Sequence, residues 1–556
     1  MQFGYSWEKP LRNTTMNLHP TNIHPSPEQQ RARELFLKQD GLRIDAYAGA
    51  GKTTTLRLLA SSTNGRGLYL AFNRSIAENA RGKFPTQVAC ATSHSLAFRA
   101  IARSFGYPEW KLTGTLTPNT VVEAFRMPEN LIFHSGLTLS KLSYCSVLLD
   151  AVKRFLLSND EHPEQAHIPR YGCLESLDAE GFAQFTSQAI SHVQALWDAM
   201  RHKNADLPLG HDGYLKLWAL SQPKARVDYI LVDEAQDLNP VLLGVLKRMD
   251  CPVVYVGDPY QQIYEWRGAV NAMAQVATPH HVLLSQSYRF GPAIATAATA
   301  ILRSLGAKQP VRGLEAIQSH LALVHPQVIL SRTNAGVIGN VLKCLSCRIP
   351  CHVLGGTSGL EMLLTDVRRV KQGQGGQSPE LLGFATWKDV MSFSTRTEGE
   401  YLRGLVNLVQ EYGEETMLRA IAGCVPNEGD ARIICSTTHK AKGREWGYVE
   451  IDPDFLSTRP PSTRSDHQES IAAALRLLYV AVTRAKYAVD LPQSLLRRFG
   501  LNRTTSEVVG APSVAEAIVD NAPTSEDPRL SGVVSPYHSP AKGESREMAS
   551  LRRIFG

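Results

Sequence analysis

The sequence predicts an α/β protein with two parallel-sheet domains, each interrupted by a mainly helical insertion. Three observations carry that prediction. From Gln29 to about residue 105, strand-like and helix-like runs alternate as LRIDAYAGA, TTTLRLLASS, GLYLAFN and RSIAENARGKF, the pattern of strands joined by crossover helices. After a mostly helical stretch, strands resume at VDYILVDEAQD and CPVVYVGD, with helix-like VLLGVLKRM between them. A second alternating series starts near Ala293 with QVILSRT, VIGNVLKCL and CHVLGG, breaks off, and closes with ARIICST and AAALRLLYVAVTRAK.

In chain order the expected layout begins with a polar, flexible arm over 1–24. A first α/β domain occupies 25–109 and 213–292, split by a helical insertion over 110–212. A second occupies 293–357 and 429–503, split by a short insertion over 358–428. That insertion opens on the Gly/Gln-rich linker KQGQGGQSP and continues with the amphipathic EYLRGLVNLVQEYG. Residues 504–556 are rich in Ser, Pro and Gly and read as a mobile tail.

Bulk composition agrees. The 556 residues are 43% hydrophobic and 20% charged, enough for a large core and too many for one ordinary domain. The net charge of +7 is compatible with a polyanionic partner without requiring one. Nine scattered cysteines form no disulfide framework. CLSCRIPCH, with Cys344, Cys347, Cys351 and His352, resembles a metal-ligand spacing. Its cysteines read better as small buried hydrophobes, because Cys344 and Cys347 fall in an apolar helical run and Cys351 opens a strand. No apolar run is long enough to span a bilayer, and the N-terminus lacks a signal-peptide core. The expected location is the cytoplasm or nucleoid of a prokaryote, or the nucleus of a eukaryote.

The chemistry is written first in AYAGAGKT, residues 46–53. A strand must turn sharply there so that the backbone of Ala48, Gly49, Ala50, Gly51, Lys52, Thr53 and Thr54 can cradle phosphates at a helix N-terminus. Lys52 would neutralise phosphate charge, and the Thr53 hydroxyl would bind Mg2+. Ala46 stands where the usual pattern has its first Gly. The second half is VDYILVDEAQD, an apolar strand ending in Asp233 and Glu234. A carboxylate beside the phosphate loop, Asp233, suits the metal, and Glu234 is placed to activate water. A third stretch, VVYVGDPYQQIYEWRGA, sets the amides Gln261 and Gln262 beside Tyr264, Trp266 and Arg267. Stacking unpaired bases needs aromatic faces of this kind.

Taken together, AGAGKT, DEAQD, VGDPYQQIYEWRGA, QSYRF, TTHKAKGREW and LLYVAVTRAK occur in the order seen in superfamily 1A helicases of the UvrD/Rep/PcrA type, and the chain resembles that family over about residues 22–495. Within it, HDGYLKLWALSQP, GDPYQQIY, GAVNAM and QSYRFG are most similar to the helicase core of F-box DNA helicases. The segment before Gln29 is too short for an F-box, so no ubiquitin-ligase role is expected. The resemblance implies two RecA-like domains, ATP and Mg2+ as cofactors, and single-stranded and tailed duplex DNA as partners. It implies that Gln29 reads the adenine edge, Gln261 senses the γ-phosphate, Tyr288 stacks on adenine, Arg289 touches the γ-phosphate and Glu445 bonds the ribose. Arg484 matches the arginine finger. Phe72, Asn73, Thr92, His94, Tyr264, Trp266, Arg267 and His439 match strand-contacting positions. Two departures stand out: Thr54 and Thr55 replace an Arg common after the phosphate loop, and Ala472–Ala474 replace a Glu pair before the last motif. The expected activity is 3′–5′ DNA unwinding in repair or recombination. Two alternatives are an ATPase that strips recombinase or other nucleoprotein from single strands, and the ATPase subunit of a larger nuclease or defence complex.

Overall fold

The computed structural model describes residues 25–510, apart from 134–136, 171–173, 176, 264–271, 379, 396–398 and 457–463. The chain divides into two compact units: residues up to Tyr288 with Arg369–Trp387, and Arg289–Arg368 with the residues from Lys388 onward.

The first unit is built on strands β1 (Leu42–Ala46), β2 (Gly67–Ala71), β3 (Val88–Thr92), β6 (Tyr229–Val232), β7 (Val253–Gly257) and β8 (His280–Leu284). A small antiparallel hairpin, β4 (Asn130–Ile132) and β5 (Thr138–Ser140), lies in the helical stretch between β3 and β6. The six strands form one parallel sheet in the order β3-β2-β6-β7-β1-β8. β2, β6 and β7 are buried at every position, which explains their unbroken apolar sequences. Their side chains still alternate between two cores. Tyr229, Leu231, Val254 and Val256 face the core that holds Leu42, Ile44, Leu56 and Leu59. Ile230, Val232, Val253 and Tyr255 face the other, where Leu148, Phe155 and Trp197 of the helical stretch pack. The helices Lys141–Leu157, Ala179–Arg201 and Gly210–Leu220 therefore cover one face of the sheet. Two fully buried lysines tie their connecting loops. Lys111 Nζ donates to Ala205 O (2.9 Å) and Leu207 O (2.6 Å), and Lys216 Nζ donates to Ser158 O (2.8 Å) and Asp160 O (2.5 Å).

The second unit repeats the plan with β9 (His320–Leu321), β10 (Val328–Ser331), β11 (Cys351–Val353), β12 (Ile433–Thr437), β13 (Trp446–Ile451) and β14 (Ala485–Asp490). They form a parallel sheet in the order β11-β12-β10-β13-β14-β9. The predicted α/β class with two parallel sheets is what the chain adopts. Residues 504–509, expected as the start of a tail, run beside 321–325: Thr504 N donates to Leu321 O (2.8 Å) and Val509 N to Leu323 O (2.8 Å). No helix of the described residues is long and apolar enough to cross a membrane.

Candidate active site

β1 delivers the chain to a loop in which Gly49 and Gly51 have φ of +74° and +76°, a region open to glycine and costly for side chains with a Cβ. Gly51 is the N-cap of the helix Lys52–Ala60, and no described side chain caps that end. Its first-turn N–H groups and the positive end of the helix dipole therefore turn toward the loop, as an anion site requires. Ala48 and Ala50 are buried at its base. A Cβ on Gly51 would stand 3.4 Å from Gln29 Nε2 and 3.9 Å from Tyr288 Cδ2, so both side chains border the loop. Gln29 is fixed at both ends of its amide: Oε1 accepts from Ser26 N (3.0 Å), and Nε2 donates to Thr55 Oγ1 (3.1 Å). Tyr288 donates its backbone N–H to Gly49 O (2.9 Å) and is 44% exposed.

The acidic strand end faces the same loop. Lys52 Nζ donates to Glu234 Oε2 at 2.7 Å, and Thr53 Oγ1 donates to Asp233 Oδ2 at 2.9 Å. Tyr69 OH donates to the same Asp233 oxygen at 2.7 Å, and Glu234 N donates to Asp233 Oδ1 at 2.9 Å. Burial and the neighbouring Glu234 charge push the Asp233 carboxyl above its ordinary value, against the pull of Lys52, Tyr69 and Thr53. Burial works to lower Lys52, but the Glu234, Asp258 and Asp233 carboxylates outweigh it and hold the ammonium above its ordinary value. Glu234 adopts φ +51°, unusual for a residue with a side chain. The hydroxyl and carboxylate oxygens of Thr53 and Asp233 are the donor set a hard divalent cation takes.

A chain of hydrogen bonds leads away from Glu234. Gln236 Nε2 donates to Glu234 Oε2 (2.6 Å), Asp258 N donates to Gln236 Oε1 (3.0 Å), and Gln261 Nε2 donates to Asp258 Oδ2 (2.7 Å). Gln236, Asp258 and Gln261 are all buried. β7 ends at Gly257, where a Cβ would meet Gln236 Oε1 at 2.5 Å. Glycine is needed there for close approach rather than for backbone freedom. The proposed strand-stacking residues Tyr264, Trp266 and Arg267 lie outside the described residues.

In the second unit, Arg289, Glu445 and Lys486 form one cluster. Arg289 Nε donates to Glu445 Oε2 (2.8 Å), Lys486 Nζ to Glu445 Oε1 (2.6 Å), and Arg289 Nη1 to Thr483 O (2.9 Å). Burial raises the Glu445 carboxyl, but the two cations outweigh it and leave it below its ordinary value. Arg484 is 2% exposed, with Nε donating to Val480 O (3.0 Å) and Nη1 to Arg444 O (3.2 Å).

Among the other strand-contact candidates, Phe72 exposes half its surface at the end of β2. Asn73 and Thr92 serve as N-caps: Asn73 Oδ1 accepts from Ile76 N (2.9 Å) and Thr92 Oγ1 from Ser95 N (3.1 Å). Half-buried His94 lies 3.5 Å from Asp212 and edge-on to Tyr214. His439 is half-buried in the helix Thr438–Ala441, directly after β12. Sequence reading missed Tyr69, Gln236 and Asp258. The GD turn after an apolar strand and the Q inside DEAQD were the available signals for the last two.

A phosphate loop with its lysine, an acidic pair just past the end of β6, which β7 separates from β1, and two parallel α/β sheets define a P-loop NTPase fold. Comparison with known proteins narrows this class. The UvrD/REP helicase N-terminal domain family matches residues 174–280, and the UvrD-like helicase C-terminal domain family matches residues 432–491. "F-box DNA helicase 1" of Gallus gallus is 30% identical over 511 residues, covering 84% of this chain and 49% of its own length. "F-box DNA helicase protein 1" of Schizosaccharomyces pombe is 28% identical over 503 residues, covering 83% of this chain and 56% of its own. "ATP-dependent DNA helicase PcrA" of Leuconostoc citreum is 31% identical over 99 residues, 16% of this chain and 13% of its own length. The chain thus carries matches to both the N-terminal and the C-terminal UvrD-like helicase domain families, and it spans about half the length of the two F-box helicases it matches.

Proposed function

We propose that the chain hydrolyses ATP to move 3′ to 5′ along single-stranded DNA and to unwind duplex DNA, in repair or recombination. The observation that carries this reading is the pairing of Lys52 with Glu234 and of Thr53 with Asp233 across the phosphate loop. Phosphoryl transfer asks little of a protein beyond positioning and charge stabilisation. Lys52 exchanges Glu234 for phosphate oxygens when nucleotide binds, which frees Glu234 to orient and deprotonate water. Thr53 and Asp233 would hold Mg2+, which neutralises phosphate charge when bound. Gln29 takes the adenine edge, Tyr288 stacks on the ring and Glu445 takes the ribose. Arg289 and Arg484 keep the γ-phosphate roles that the family resemblance implies. The relay from Glu234 through Gln236 and Asp258 to Gln261 links the state of the nucleotide to the segment bearing Tyr264, Trp266 and Arg267.

The energetics are compatible. Stacking one base on an aromatic face gains about 1–3 kcal/mol, and opening one base-pair step costs about 1.4 kcal/mol of stacking on average. Residues 110–212 and 358–428 are the two helical insertions of this motor, and a DNA substrate places it in the nucleoid or nucleus. The test is unwinding of 3′-tailed and 5′-tailed duplexes with ATP and Mg2+. Unwinding confined to 3′ tails and abolished by Lys52→Ala is expected. Unwinding of 5′ tails alone overturns the polarity. Strand-stimulated ATPase without unwinding favours nucleoprotein removal instead.

A further inference from the structure

Four cysteines from four separate segments gather in the second unit. Cys344 lies near the end of the helix Asn334–Ser346, Cys351 opens β11, Cys435 is central in β12, and Cys424 follows the helix Glu414–Ala422. The sulfurs of Cys344, Cys351 and Cys435 all lie within 4.8 Å of one another, and those of Cys351 and Cys424 are 3.9 Å apart. The first three are buried, and Cys424 is half-buried at the rim. The fold explains the convergence. Val353 on β11 pairs with Cys435 on β12, so Cys351, two residues before Val353, shares the face of Cys435. Val425 N donates to Cys351 O (2.9 Å), which holds the Cys424 segment alongside. The spacing in CLSCRIPCH is not the ligand set: Cys347 is exposed, and His352 Nδ1 lies 2.9 Å from Val425 O.

A single buried cysteine serves as a small hydrophobe. Four thiols converging from distant segments are the arrangement a soft cation requires. We propose that Cys344, Cys351, Cys424 and Cys435 form a closed, mononuclear thiolate site for Zn2+. With Zn–S bonds of about 2.3 Å, the sulfurs of a tetrahedron stand about 3.8 Å apart. That matches the Cys351–Cys424 separation, and the Cys344, Cys351 and Cys435 sulfurs, all within 4.8 Å of one another, need draw in by at most about 1 Å. An iron–sulfur cluster would need its cysteine sulfurs farther apart, because several metal and sulfide atoms lie between them. Each thiol gives up its proton as its metal–sulfur bond forms. Four protein ligands leave no open position, so the site is structural rather than catalytic. It braces β12 immediately before the helix that carries His439.

The test uses the full chain, expressed with zinc supplied and purified without chelators. Elemental analysis should find about one zinc per chain, lost in Cys351→Ser and kept in Cys347→Ser. Cys351 sits in a core strand, so Cys424→Ser at the rim is the second variant. It should melt cooperatively like the parent, yet shift the visible bands of the Co2+-loaded chain from a four-thiolate to a three-thiolate pattern. A folded chain that holds no zinc and gives no thiolate–Co2+ absorption overturns the proposal. So does a freshly purified, metal-free chain with Cys351 and Cys424 joined as a disulfide.

Discussion

Replacing Gly257 with Ala probes the proposed link, within the first unit, between Glu234 and the segment that follows Gln261. The new Cβ would stand 2.5 Å from Gln236 Oε1 and 2.9 Å from Gln236 N, so the carboxamide must retreat to at least 3.4 Å and the 235–237 turn must shift with it. The bond from Asp258 N to Gln236 Oε1 is then lost, leaving a buried N–H without its partner. That loss costs about 1–3 kcal/mol, and the overpacking adds about 1–3 kcal/mol. Denaturant unfolding should therefore show the first unit destabilised by about 2–6 kcal/mol. The functional effect is more specific. Gln236 loses its charge-assisted bond to Glu234, worth about 1.5–3 kcal/mol, so the DNA-stimulated turnover should fall about 10- to 100-fold. Nucleotide affinity should change little, because Gln29, Tyr288 and the phosphate loop are untouched. An ATPase assay with and without single-stranded DNA, beside nucleotide titration, reads both quantities. A Gly257→Ala chain of parental stability and full DNA stimulation would show that the relay carries nothing.

Other outcomes follow from the same geometry. Glu234→Gln should lower ATP turnover about 10²- to 10⁴-fold, the usual worth of a general base, while ATP still binds. Tyr288→Ala should weaken ATP binding by about 1–3 kcal/mol, the worth of one base–aromatic stack, with turnover at saturation largely kept. Trp266→Ala should keep basal hydrolysis and lose unwinding; normal unwinding by that variant would remove the aromatic-wedge reading. The last outcome concerns pH. Burial pushes Glu450 up to about 7, reinforced by Asp490, which is its partner in the β13–β14 register. Burial likewise raises Asp454 to about 7 and Asp490 to about 6. The folded chain thus holds protons that the unfolded chain has already released between about pH 4 and 7. Stability of the second unit should fall as pH rises through that window. Glu450→Gln should recover about 1–3 kcal/mol at pH 8 and almost nothing at pH 4.5, as measured by denaturant unfolding at the two pH values.

The phosphate loop and the acidic strand were legible because their chemistry is local. AGAGKT is one turn, and VDYILVDE is one buried strand whose apolar run needs no partner to be recognised. β8 (HHVLL) and β14 (AKYAVD) were harder, since their polar residues break the run and only their sheet neighbours make them strands. The T-x-x-S of Thr92–Ser95 is a helix-start signal of the capping-box type, and it explains why a residue nominated for strand contact also caps a helix. The relay and the thiol cluster were not legible. Gln236 meets Asp258 across neighbouring strand ends, and Cys435 meets Cys351 through strand register, so neither depends on spacing along the chain.

The most direct test of the whole account is the steady-state ATPase rate of the purified chain with Mg2+, with and without single-stranded DNA. The account predicts slow hydrolysis alone, strong stimulation by the single strand, and neither activity in Lys52→Ala. Hydrolysis indifferent to single-stranded DNA, or surviving the loss of Lys52, would contradict it.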